Sequence, residues 1–238
     1  LCPSIRITVL DAIGEYFAPT FSLAVFAQLI SLVIAVPLGI LAAYRRGTCV
    51  DMITVSASLL GIAIPGFLLS MFLMLFFGVH LKWLPVAGYV QMSQGILEHL
   101  RYLLLPALSL GVVQAAYITR MSRSAMLDVL YMNYIRTARA KGLKESAVVL
   151  VYGLKNACPT ILTVVGQSFG SLVTGTIVTE TLFNIPGLGM LTMTSITRRD
   201  VFVIQGVVLF VTFIYVLVNL AVDILYGFVD PRIQLGNK

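Results

Sequence analysis

Charge is scarce in this 238-residue chain: Asp, Glu, Lys and Arg make up 11% of it, where soluble globular proteins carry about 25%. With 59% hydrophobic residues and a mean hydropathy of +0.98, the shortage excludes an ordinary water-soluble domain and indicates an integral membrane protein. The three cysteines supply no disulfide framework, since Cys2 is expected outside and Cys49 and Cys158 near the cytosolic face. Only two histidines occur, His80 and His99, far apart and without a CxxC or HExxH pattern, so no metal site is expected. A Gly-x-x-x-x-Gly-Lys-Ser/Thr phosphate loop is absent as well, and the chain is not expected to bind ATP itself. Nor is there a Ser/His pairing or deep carboxylate pair from which catalysis could be assembled, so no catalytic residue is assigned.

What the chain does have is five runs free of Asp, Glu, Lys and Arg: 16–44, 52–81, 102–119, 156–179 and 201–222. Each approaches or exceeds the about 20 apolar residues that a membrane-crossing helix needs. Lipid offers the backbone no hydrogen bonds, so the spans are predicted to be helices and the fold class all-α, a polytopic membrane bundle. Lys and Arg are retained on the cytosolic side of short loops. Arg45, Arg46, Arg120, Arg123, Arg136, Arg139, Lys141, Lys144, Lys155, Arg232 and Lys238 fall on one side, against Arg6, Lys82, Arg101, Arg198 and Arg199 on the other. The first side is predicted to be cytosolic, together with the C-terminus. The net charge of +6 follows from this bias and requires no nucleic acid.

Five spans would leave the N-terminus outside, and the chain opens on Leu1. A sixth span upstream is therefore expected in the full protein. Residues 1–16 read as an outer interfacial segment, with Ile5, Val9, Ile13 and Phe17 at helical spacing after Ser4. Residues 180–200 read as an outer loop. Inside the spans, Pro37, Pro65, Pro106 and Pro159 alternate with Gly39, Gly66, Gly111, Gly166 and Gly170. The pattern fits close helix packing or broken helices around a pathway. Gln114 and Gln167 are the candidates for lining that pathway, with interhelical hydrogen bonding as the alternative. Glu180 is a candidate gate or outer-face contact, and Asp223 is expected to pair with an Arg or a helix end.

The loop between the third and fourth spans, 124–155, is the chain's polar exception. Leu127, Leu130, Tyr131, Tyr134 and Ala138 form one helical face, and Gly142 follows Lys141 where a helix would end in the left-handed conformation. A second helix is predicted from Lys144-Glu-Ser146, with Val148, Val149, Tyr152 and Leu154 as its apolar set. The two helices and the basic turn between them suit a partner in the aqueous phase; a loop resting on anionic lipid is the alternative.

Several separated motifs resemble the permease subunits of bacterial ATP-binding-cassette importers, in their dipeptide, oligopeptide and nickel branch. They are Pro19-Thr-Phe-Ser-Leu-Ala24, Pro37-Leu-Gly-Ile-Leu-Ala-Ala43, Lys82-Trp-Leu-Pro-Val-Ala-Gly88, Arg123-Ser-Ala-Met-Leu-Asp128, Tyr134-Ile-Arg-Thr-Ala-Arg-Ala-Lys-Gly142, Glu180-Thr-Leu-Phe-Asn-Ile-Pro-Gly-Leu-Gly189, and Asn219-Leu-Ala-Val-Asp223 followed by Asp230-Pro-Arg232. The family's coupling motif is Glu-Ala-Ala, three residues, Gly, nine residues, Ile-x-Leu-Pro. Arg136-Thr137-Ala138, Gly142 and Tyr152-Gly-Leu-Lys155 stand in its place here. Arg136 for Glu and Lys155 for Pro are departures that look like the peptide and nickel branch.

The resemblance implies that Arg136, Thr137, Ala138, Arg139, Ala140, Lys141, Gly142, Leu143 and Lys144 dock on an ATPase subunit. It further implies a second homologous permease, two ATPase subunits or domains that hold ATP and Mg, and an extracytoplasmic substrate-binding protein. Membrane lipid is the remaining partner, and the location implied is the bacterial inner membrane. In the turn Phe183-Asn-Ile-Pro-Gly-Leu-Gly189, residues Asn184, Pro186 and Gly187 are candidates for a gate or a contact with the binding protein. Di- or oligopeptides are the expected cargo, with chelated nickel as the alternative. A self-contained secondary transporter would instead call for an ion-coupling acid at mid-membrane depth, which the five charge-free runs lack. The whole of 1–238 is read as one transmembrane permease domain.

Overall fold

The computed structural model describes residues 8–229. Cys2, Ser4, Ile5, Arg6, Asp230, Arg232 and Lys238 lie outside the described residues. Helix α1, Val9–Tyr44, starts where the Thr8 hydroxyl accepts the Asp11 N–H at 3.2 Å and runs for 36 residues through Pro19 and Pro37. At the α-helical rise it is roughly 54 Å long, well beyond a hydrocarbon core of about 30 Å. This revises the separate interfacial helix expected in 1–16. From Val9 onward those residues are the first turns of α1, and Ile13 is buried with Leu188, Leu191, Val203 and Val207. The apolar spacing is satisfied by protein.

The second predicted span is sharply bent. Helix α2, Cys49–Ala63, and helix α3, Gly66–Leu73 with a π-helical continuation Met74–His80, meet at a 95° bend. Pro65 disfavours the helical conformation at the residue before it, and Ile64 is extended (φ −78°, ψ 120°). Helix α4, Ile96–Leu130, is 35 residues long and contains Pro106. Helix α5, Asn133–Ala140, follows after a turn. Helix α6, Glu145–Ala147, a π-helical stretch Val148–Gly153 and helix α7, Leu154–Gly175, form one helical run. Helix α8, Ile177–Phe183, helix α9, Leu188–Arg198, and helix α10, Val201–Val229, complete the described residues.

The described residues contain helices and no strands, so the fold is all-α. Among the described residues four helical runs are long and apolar enough to cross a membrane, and the bent pair makes a fifth if taken as one span. The predicted outer loop 180–200 consists largely of α8 and α9. Asp223 sits inside α10 rather than at its end, exposed, and forms no ion pair among the described residues.

Helices α1 and α4 form the centre of the bundle, and small residues set their separation. A Cβ on Gly39 would lie 2.8 Å from Ser122 Cβ, and one on Gly111 would lie 2.9 Å from the Ala27 carbonyl oxygen. The Gly166 and Gly170 pair serves α10 in the same way, admitting Val222 and Tyr215. One end of the bundle packs Met126, Leu130, Ile135, Val148 and Ile161 beneath α5. The opposite end packs the start of α1 against α9 and α10. Large apolar side chains on α2 and α10, among them Met52, Ile53, Phe202 and Leu209, remain exposed. Exposed apolar side chains of this kind suit lipid or another helix.

Candidate functional site

The turn after α5 is closed by backbone geometry. Gly142 has φ +75°, its N–H donates to the Arg139 carbonyl at 2.9 Å, and the Leu143 N–H donates to the Ala138 carbonyl at 3.4 Å. These are the two bonds of a Schellman cap, and only glycine takes this left-handed position without a Cβ penalty. Arg139 then clamps the turn from outside, donating through Nη2 to Glu145 Oε1 at 2.7 Å. The carboxylate beside it raises the guanidinium pKa further above its ordinary value. Because the pair is partly exposed, it contributes little stability, about 0–1 kcal/mol, and acts chiefly on geometry.

Arg136, Thr137, Arg139, Ala140, Lys141, Gly142, Leu143 and Lys144 are exposed, whereas Ala138 is buried. The expected pair of short helices is corrected in two ways. Leu127 and Leu130 belong to α4, which ends before α5 begins, and the second helix does not stop but continues as Glu145–Gly175. The buried face of α5 is Ile135 and Ala138, with Tyr134 exposed. The basic turn is thus joined to two long helices through very short connections.

Arg123 of α4 grips Asp51 of α2 with two bonds, Nε to Oδ1 at 2.6 Å and Nη2 to Oδ2 at 2.8 Å. Asp51 is 5% exposed and also accepts the Gly47 N–H at 3.0 Å. Counting Arg123 only as a loop charge missed this pair. The sequence signal was Asp51 itself, an acid at the edge of an apolar run. Removing one partner of a buried pair costs about 3–5 kcal/mol. Arg123 is partly solvated, so Asp51→Ala is expected to cost about 2–3 kcal/mol. A double-mutant cycle with Arg123→Ala on thermal unfolding in detergent checks this, and additive effects would refute the coupling.

At the opposite end of α1, Glu180 is 0% exposed. Its Oε1 accepts the hydroxyls of Thr20 and Thr176, each at 2.7 Å, and its Oε2 accepts the N–H groups of Gly189 at 2.7 Å and Met190 at 3.2 Å. The Thr20 hydroxyl oxygen in turn accepts the Leu188 N–H at 2.8 Å. The first three N–H groups of α9, normally orphaned at a helix start, are capped by side chains from α1 and α8. The site also favours negative charge through the helix dipole. The outer-face contact considered for Glu180 is therefore corrected to a buried clasp, because the carboxylate has no exposed surface in this structure. Gly187 is buried against it, and a Cβ there would lie 2.4 Å from the carboxylate carbon. Asn184 takes the left-handed conformation that ends α8 (φ 52°), and with Pro186 it is exposed. Thr20 was legible only as part of the Pro19 to Ala24 motif.

Between these ends the two glutamines do not act together. Gln114 on α4 is half-buried and donates through Nε2 to the Ser171 hydroxyl at 2.8 Å and the Ser168 carbonyl at 3.3 Å, bonding α4 to α7. Gln167 on α7 is exposed. Gln28, 7% exposed, accepts the Ser168 hydroxyl at 3.0 Å. Among the described residues no group of three His, Cys, Asp or Glu side chains is arranged to hold a metal ion.

Comparison with known proteins agrees with this architecture. Residues 35–235 match the model of the family described as the binding-protein-dependent transport system inner membrane component. A probable peptide ABC transporter permease of Sinorhizobium fredii is 40% identical over 228 residues, covering 96% of this chain and 73% of that one. The dipeptide transport system permease protein DppB of Escherichia coli is 38% identical over 252 residues, covering 96% of this chain and 74% of that one. In structure, an inward-facing MetNI methionine ABC transporter chain aligns with a TM-score of 0.75 at 19% identity, covering 93% of this chain and 97% of that one. That likeness concerns the fold. Sequence motifs, helical architecture and these matches together place the chain in the family of binding-protein-dependent transport system inner membrane components, the ABC transporter permeases.

Proposed function

We propose that this chain forms half of the translocation pathway of an ATP-driven importer for di- or oligopeptides, and that 136–144 is its contact with an ATPase subunit. The observation that carries the reading is the Schellman-closed turn at Gly142, which joins α5 to the run Glu145–Gly175. A push on that turn reaches α4 and α7 directly. Closure of ATPase subunits holding ATP and Mg would thereby favour one arrangement of the spans over another, by differential binding to the two states. The chain supplies the contact and the pathway, and hydrolysis belongs to the partners. Peptide cargo is supported by relatives named for peptide and dipeptide transport.

In this reading the coupling turn and C-terminus face the cytoplasm, as the distribution of Lys and Arg supports. The exposed Asn184 and Pro186 then face outward, where an extracytoplasmic binding protein delivers cargo. A second homologous permease covers the exposed apolar faces that lipid does not, and residues 1–238 act as one permease domain. Reconstitution of the permease pair with its ATPases and binding protein tests the proposal. Dipeptide-stimulated ATP hydrolysis and ATP-dependent dipeptide uptake are expected. Uptake driven by a proton or sodium gradient without ATP would overturn it.

A further inference from the structure

The end of the bundle that carries α5 holds two adjoining cavities of opposite character. A polar one of about 220 Å³ lies between the ends of α1 and α4 and the inner side of α5, lined by Tyr44, Arg46, Tyr131, Arg136 and Arg139. An apolar one of about 480 Å³ lies between α1 and the start of the run Glu145–Gly175, walled by Val36, Ile40, Leu41, Val149 and Leu150, with Glu145 and Ser146 at its rim. Tyr44 lines both.

Charge in the polar cavity is unbalanced. Glu145 neutralises Arg139; Arg46 feels the Asp51 carboxylate only at longer range, and neither Arg46 nor Arg136 forms an ion pair among the described residues. Arg46 is held in place: its Nη1 donates to the Tyr131 hydroxyl, and its guanidinium carbon lies 5.0 Å from the Tyr131 ring centroid. A fork fixed in this way keeps its other N–H groups available for a planar or tetrahedral oxyanion.

We propose that this pair of cavities binds one anionic phospholipid, with its phosphate headgroup against Arg46 and Arg136 and an acyl chain in the groove beyond Tyr44. The inference rests on the chain's place in a membrane and not on its cargo, and it gives Arg136, within the segment proposed to contact the ATPase, a second role toward lipid. An acidic side chain of a partner protein could satisfy the cations, but it would leave the adjoining apolar groove unexplained. A phospholipid matches both cavities at once, with the anion at the membrane surface and the hydrocarbon beside it. The bound lipid would wedge between α1 and the coupling segment and set the rest position of α5.

The test uses the assembled transporter in phosphatidylcholine nanodiscs containing phosphatidylglycerol, with p-benzoylphenylalanine in place of Tyr44. Light is expected to capture phosphatidylglycerol, and native mass spectrometry is expected to find it retained over phosphatidylcholine. Arg46→Gln and Arg136→Gln should each weaken that retention about fivefold, with Arg46→Lys nearer the parent. Capture of an ATPase or a second permease at position 44 would overturn the proposal. So would equal loss of both lipids in the Gln variants, or displacement of phosphatidylglycerol by inorganic phosphate alone.

Discussion

Gly142→Leu is expected to abolish cargo-stimulated ATP hydrolysis while the permease still folds and enters the membrane. Two features of the turn lead to this separation. Residue 142 sits at φ +75°, where an L-residue pays roughly 1–2 kcal/mol, a small part of the about 5–15 kcal/mol that holds a typical domain. A Cβ there would meet nothing within 4 Å. The added side chain therefore projects away from the permease, into the space assigned to the ATPase. Loss of coupling should be tenfold or more, the factor that about 1.4 kcal/mol of docking energy represents. Gly142→Asn separates the two causes, because Asn tolerates the left-handed region yet still adds bulk. An intermediate loss from Asn, with normal size-exclusion behaviour for both variants, would locate the defect at the contact. Unchanged cargo-stimulated hydrolysis in Gly142→Leu complexes would sink the coupling assignment.

Gly142 was legible in the sequence because its effect is local: a glycine after a helical pattern predicts a left-handed cap from backbone sterics alone. The bend in the run 52–81 was not legible, for the opposite reason. The run's freedom from charge indicated one span, and although Pro65 and Gly66 marked a weak point, only the structure shows the axis turning by 95° there. Charge-free length measures where a chain can sit in lipid and says nothing of its direction. The spacing of Val9, Ile13 and Phe17 correctly announced a helix with an apolar face. It carried no information about whether lipid or α9 and α10 would cover that face.

The ion pair and the clasp were harder to read, since their partners are separated by 72 residues in Asp51 and Arg123 and by 160 in Thr20 and Glu180. Residue counting placed Glu180 at the end of a span, where exposure was the natural expectation. The helix instead ends at Gly175, and α8 turns the acid back into the protein. Folding brings it donors from three directions. Gln114 had been left open between lining and packing, and its bonds to Ser168 and Ser171 favour packing in this conformation.

The clasp at Glu180 carries the largest expected effect on stability. Glu180→Ala removes the acceptor for two backbone N–H groups and two hydroxyls in a site without solvent. A buried donor left unpaired costs about 1–3 kcal/mol, and the threonine hydroxyls can turn to other acceptors, so roughly 3–5 kcal/mol is expected from the two N–H groups. For a chain of this size that amounts to a fall in unfolding temperature of roughly 10 °C.

Glu180→Gln should behave differently. Its amide oxygen can take the Gly189 and Met190 N–H groups while its NH₂ faces hydroxyls able to accept, so the loss is confined to the charge at the α9 N-terminus, about 1–2 kcal/mol. Thr20→Val deletes both the donor to Glu180 and the acceptor for Leu188, and it should fall between the two. Gly187→Ala tests the same geometry from the other side. Its Cβ would sit 2.4 Å from the carboxylate carbon, so the turn or the acid must move, and a loss close to that of Glu180→Ala is expected. Heat-induced loss of monodisperse protein in detergent, followed by size exclusion, ranks the four. If Glu180→Ala unfolds like the parent protein yet stops uptake, the acid acts on cargo rather than on structure, and the clasp is refuted. If Gln is as damaging as Ala, the negative charge rather than the hydrogen-bond count holds α9 against α1.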